Sequence, residues 1–70
     1  MYKRGDPDPT PAGLRPDEMK CPARLKVFSY GRVFYLECTW PDNRHDPHQH
    51  VAGAYGGPHG SYVAAAWPVN

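Results

Sequence analysis

The clearest signal in the chain is an alternation of apolar and polar positions over residues 23–40, ARLKVFSYGRVFYLECTW. Two runs rich in valine, leucine and aromatic residues flank Tyr30-Gly31, which reads as a two-residue hairpin turn. With that turn, Ser29 faces Arg32, Val27 faces Phe34, Leu25 faces Leu36 and Ala23 faces Cys38. These residues share one side of the ribbon, and Trp40 extends it. On the other side Arg24 faces Glu37, Lys26 faces Tyr35 and Phe28 faces Val33. The register gives one apolar face and one mixed face with a cross-strand charge pair. A slip of one residue destroys both features. The pattern therefore predicts an antiparallel β-hairpin over about 24–29 and 32–39.

The flanking segments are less regular. Residues 5–16, GDPDPTPAGLRP, hold four prolines, which fix their own φ and push the preceding residues toward extended backbone. They predict an extended arm with polyproline character, so the chain divides into an arm over 1–20 and one small domain over 21–70. Residues 41–50, PDNRHDPHQH, read as a polar loop, and 51–60, VAGAYGGPHG, as a glycine-rich turn region. Residues 61–67, SYVAAAW, read as a third strand capping the hairpin. A short helix ended by Pro68 is the other reading of the alanine run.

Composition adds a constraint. A chain of 70 residues with nine prolines and seven glycines buries little apolar surface relative to the entropy lost on folding. Domains of this size often need a disulfide, a metal or a partner. Net charge is only +1, which argues against a nucleic-acid binder with a large basic excess. After Asp46 there is no Lys, Arg, Asp or Glu, so the tail is expected to pack on its own domain or on a partner. No apolar run is long enough for a bilayer, and the start lacks the apolar core of a signal peptide. Both point to synthesis in a reducing cytoplasm, where cysteines are more often thiols or metal ligands than disulfides.

The hairpin register bears directly on the cysteines. Cys21 falls opposite Trp40, so parity places Cys21 and Cys38 on the same face at the open end. The following loop carries His45, His48 and His50. Two thiolates and two imidazoles are a common structural zinc set. His45 and His50 leave four residues between them, a usual spacing for two histidine ligands. The expected ligands are thus Cys21, Cys38, His45 and His50 around Zn2+, with His48 as substitute and His59 as the last choice. Two same-face cysteines can also be small buried hydrophobes, or a disulfide in a particle that matures outside a cell.

The stretch from Cys38 through His45, Asp46, Pro47 and His48 to His50, with Cys21 upstream, resembles a motif of small actinobacterial and actinobacteriophage proteins similar to minimal zinc-binding knuckles. The resemblance spans roughly residues 21–50. The chain departs from it at Asp46-Pro47, where a glycine is frequent, and by an extra histidine. The resemblance implies zinc and an actinophage-like origin, and no particular activity.

No catalytic residues are expected. Parity puts Glu37 on the far face from the cysteines, Asp42 and Asp46 lie in the polar loop, and nothing supplies oxyanion donors or a deep pocket. Phe28, Val33 and Tyr35 on the mixed face, with Tyr55, Tyr62 and Trp67 in the tail, are the expected partner-binding residues. The tail folding back to cover the mixed face is the competing expectation. The fold class expected is a small, β-rich, metal-stapled domain with an extended Pro-rich arm. The function expected is a non-enzymatic interaction module, such as an accessory or structural subunit of a phage-like particle, cytoplasmic on synthesis and virion-associated after assembly. The alternative is a small zinc-finger regulator of nucleic acid or a host protein. Neither a membrane nor a small-molecule substrate is expected as partner.

Overall fold

The Tyr30-Gly31 turn sets the first hairpin. In the computed structural model of the chain, which describes residues 1–11, 13–56 and 60–69, both turn residues take positive φ, 49° and 74°. This is the primed turn geometry, whose twist matches that of the flanking strands. Strands β1 (Arg24–Ser29) and β2 (Arg32–Glu37) pair antiparallel with Arg24 opposite Glu37 and Ser29 opposite Arg32. That is the register expected from the sequence. The pairing runs on past the strands, since the Cys38 N–H donates to the Ala23 carbonyl and the Cys21 N–H to the Trp40 carbonyl, both at 3.0 Å.

A second hairpin corrects the reading of the chain's second half. Strand β3 covers Gln49–Tyr55 and pairs antiparallel with β4, Ser61–Pro68. The segments read as a polar loop and a glycine-rich turn therefore contain a strand, and the strand expected at 61–67 pairs with it rather than capping the first hairpin. Only a single turn of 3-10 helix, Asp42–Arg44, separates the two hairpins. The small residues that hid β3 are the ones its position requires. A Cβ on Gly53 would overlap the Asp8 carboxylate, and the pairing shifts by one residue between Ala52 and Gly53. Glycine in a strand interior commonly marks such a bulge or close approach.

The proline-rich segment lies against the domain. The Gly5 N–H donates to the Val63 carbonyl, the Val63 N–H to the Asp6 carbonyl, and the Asp8 N–H to the Ser61 carbonyl, at 2.9, 2.8 and 3.3 Å. Residues 5–8 thus run along the outer edge of β4, where Pro7 has no need of an N–H. At the arm's start, the Tyr2 backbone and the Gln49 side chain exchange two hydrogen bonds, at 2.7 and 3.3 Å. At its other end Arg44 donates twice to Glu18, at 2.7 and 2.6 Å.

The core is small and sits at the open end of the first hairpin. Cys21, Cys38, Trp40, Val51 and Val63 are buried, with Tyr2, Ala23, Ala66 and Trp67 packed around them. Thr39 joins the two hairpins. Its N–H donates to the Val51 carbonyl at 2.8 Å, its hydroxyl accepts from the Gly53 N–H at 3.0 Å, and the Thr10 hydroxyl lies 3.0 Å away. Burial fades toward the hairpin tip: Leu25, Val27 and Leu36 are half-buried and Phe34 is exposed. Among the described residues the uncharged tail does not cover the mixed face, where Phe28, Val33 and Tyr35 are exposed. Ala64–Ala66 of β4 look instead toward the apolar face, across a groove of about 500 Å³.

The Glu18 side chain is fully buried. Its hydrogen bond from Arg44, with a second from the Arg15 N–H, holds its carboxyl at about 2 against an ordinary 4.5. A depressed carboxylate stabilises the fold fully above its unfolded value and loses that contribution as pH falls through the folded one. Glu18→Gln is therefore expected to lower the thermal midpoint at neutral pH, and the gap to the parent should close between pH 4.5 and about 2. Thermal unfolding of both proteins across that range checks it.

Candidate metal centre

Four different segments deliver the four side chains. Cys21 leads into β1, Cys38 follows β2, His45 ends the helical turn, and His50 lies on β3. The hairpin register places the two cysteines on one face, as the sequence implies. The second hairpin, which the sequence did not reveal, brings His50 onto them. One ligand atom from each of these residues falls within 4.8 Å of every other. Cys38 Sγ lies 3.4 Å from His45 Nε2, Cys21 Sγ lies 3.7 Å from His50 Nδ1, and the two imidazole nitrogens are 3.0 Å apart. Zinc–sulfur and zinc–nitrogen bonds of ordinary length in a tetrahedron imply ligand–ligand edges of roughly 3.3–3.8 Å. The donor set is therefore of the right chemistry and close to the right size to hold a metal ion.

The surroundings orient these ligands. His45 Nδ1 donates to the Asp46 carbonyl at 2.5 Å, which leaves Nε2 free to ligate. The Asp46 carboxylate accepts from the backbone N–H groups of His48 and Gln49, at 2.7 and 3.0 Å. Those two bonds turn the chain from the helical turn into β3 and hold the Asp46 carboxyl below its usual range. Asp46 thus supplies this turn with side-chain hydrogen bonds. Arg44, the residue just before His45, is held by the buried Glu18. The Trp40 ring lies 6.2 Å from that of His45, and the Trp67 ring 5.3 Å from that of His50. The two indoles wall the cluster with apolar surface.

Electrostatics near the cluster follow from burial. Burial pushes the Cys38 thiol above its ordinary range and Cys21 adds to the rise, while the backbone N–H groups of Trp40 and Val51 favour the thiolate. Burial, and then the neighbouring His45, hold the His50 imidazole below its ordinary value, which favours the neutral form that ligates. A dication beside two buried sulfurs would supply the charge they lack. Both cysteines are free thiols, not a disulfide.

Comparison with known proteins found no matching family model, no similar curated protein and no similar solved structure.

The remaining sequence candidates lie elsewhere. His48 is exposed and outside the cluster, and His59 lies outside the described residues. Phe28, Val33 and Tyr35 are exposed on the first hairpin, and Tyr55 and Tyr62 on the second. Trp67, grouped with these as a partner-binding residue, is half-buried and packs on His50. The sequence reading missed Trp40 as a wall of the cluster, and Asp46 and Glu18 as supports. The signals available were the proximity of Asp46 to His45 and His48, and the register that sets Trp40 opposite Cys21.

The geometry predicts a sharp division among the histidines. Chains carrying His45→Gln or His50→Gln should lose the bound metal, and His48→Gln should keep it. Asp46→Ala should weaken metal affinity by roughly tenfold or more, the usual cost of losing an outer support. Competition titrations against a chromophoric chelator measure all four.

Proposed function

We propose that the chain is a non-enzymatic binding module whose fold is fixed by one zinc ion held by Cys21, Cys38, His45 and His50. The observation that carries this reading is the convergence of two sulfurs and two imidazole nitrogens from four segments within 4.8 Å. Zinc is favoured over other divalent ions because thiolate and imidazole donors in a tetrahedral arrangement suit its borderline softness and indifference to geometry. Four protein ligands fill the coordination shell, whereas a catalytic zinc keeps one position for water or substrate. A filled shell supports a structural role.

The same ligands tie β1–β2 to β3–β4 beside the Thr39–Val51 hydrogen bond that joins the hairpins. An isolated two-stranded hairpin is marginal in water, so the free energy of metal binding becomes free energy of folding here. The contact surface in this reading is the first hairpin, which projects beyond the core and exposes Phe28, Val33 and Tyr35. A place as accessory subunit in a phage-like particle is supported by the sequence resemblance and the uncharged tail alone.

Protein purified without added metal should contain one zinc per chain by elemental analysis, with both thiols protected from alkylation until a chelator is added. Replacement by Co2+ should give the strong visible bands of a tetrahedral site with thiolate ligands. Metal-free protein with two reactive thiols would refute the proposal.

A further inference from the structure

The small overall charge conceals a segregation. Between residues 20 and 37 lie Lys20, Arg24, Lys26 and Arg32 against the single acid Glu37, a net of +3. The rest of the chain carries four basic and six acidic residues, a net of −2. Glu37 is moreover already engaged, by Lys20 at 3.0 Å and Arg24 at 3.7 Å. The projecting hairpin is thus a basic ribbon on a weakly acidic body.

Its mixed face also exposes aromatic rings. Phe28 is 73% exposed and Tyr35 56%. They sit on adjacent cross-strand pairs of the same face, Phe28 opposite Val33 and Tyr35 opposite Lys26. Diagonal neighbours on a sheet are about 7–8 Å apart, roughly twice the 3.4 Å rise between successive bases along one strand. The Lys26 ammonium lies over one face of the Phe28 ring, 5.2 Å from its centre, so a cation already accompanies this exposed ring. Tyr30 is fully exposed at the turn beside Arg32.

From these observations we propose that the mixed face of the β1–β2 hairpin binds single-stranded nucleic acid. Bases stack on Phe28 and Tyr35, and Arg24 and Lys26, on the same face, take the phosphates. Each nucleotide presents a flat ring and a negative charge together, which is the combination this face accepts. A protein partner would need exposed apolar groups and an acidic excess at the same spacing. The inference rests on the zinc-fixed fold proposed above, because a marginal hairpin needs a rigid base to hold its two rings in register.

Fluorescence anisotropy with the full-length chain and short labelled oligo(dT) and oligo(rU) tests the proposal, with zinc content measured on the same samples. Saturable binding is expected near 50 mM salt, weakening as salt rises with a log–log slope of roughly −1.4 for about two neutralised phosphates. Replacing Phe28 and Tyr35 together by alanine should weaken binding by roughly tenfold for each ring lost, with zinc content and circular dichroism unchanged. Tyr55→Ala, at an exposed ring on the other hairpin, should bind like the parent. The proposal is overturned if the zinc-loaded chain binds neither oligonucleotide, binds a matched duplex as tightly, or is unaffected by the double substitution. It is also overturned if anionic vesicles or an acidic peptide bind this face and single strands do not. A chain that holds no zinc yet still binds single strands through Phe28 and Tyr35 upholds this inference and removes the zinc reading alone.

Discussion

The meeting of two short hairpins around Cys38, Thr39 and Val51 is the constraint on which the rest of this structure depends. Among the described residues neither hairpin has a third strand of its own beyond the short run of residues 5–8 along β4. Each therefore has little to hold it apart from the junction around Cys38, Thr39 and Val51. Among the described residues Cys21, Cys38, Trp40, Val51 and Val63 form the buried cluster, and two of them are the cysteines. In a large domain a cysteine contributes mainly as a small hydrophobe. Here the cysteine sulfurs lie among two imidazoles, so the centre of the core and the centre of the candidate metal site coincide.

That coincidence organises the polar groups as well. Thr39, next to Cys38, collects hydrogen bonds from β3 and from the arm. Asp46, next to His45, turns the chain into β3. Gln49, next to His50, holds the start of the arm through Tyr2. Glu18 and Arg44 hold the arm's other end beside His45. Residues adjacent in sequence to the ligands thus connect the cluster to β3 and to both ends of the arm. A metal bound there would be felt at both ends of the arm, through short covalent and hydrogen-bonded paths.

The first hairpin was legible in the sequence because its information is local. Tyr30-Gly31 sets the turn, and alternation on either side fixes a register that a slip would spoil. From that register alone the two cysteines could be placed on one face. The second hairpin was not legible, because the reasons for β3 are tertiary. Gly53 is required by the carboxylate of Asp8, some forty-five positions away in the chain, and Ala52 is small and buried. Read locally, VAGAY followed by glycines suggests a turn. The two histidines chosen by spacing nevertheless fall in the cluster, one ending the helical turn and the other on the unrecognised strand. The mixed face of the first hairpin remains open, because the tail found its partner in β3 and turned toward the apolar face instead.

The central claim is that one ion couples the two hairpins, and proton–nitrogen correlation spectra recorded before and after chelation test it most directly. The account predicts that amide dispersion in β1–β2 and β3–β4 collapses together when the metal is removed and returns together when zinc is restored. Persistence of both hairpins in the metal-free protein, with cross-peaks still linking Thr39 to Val51, would contradict it.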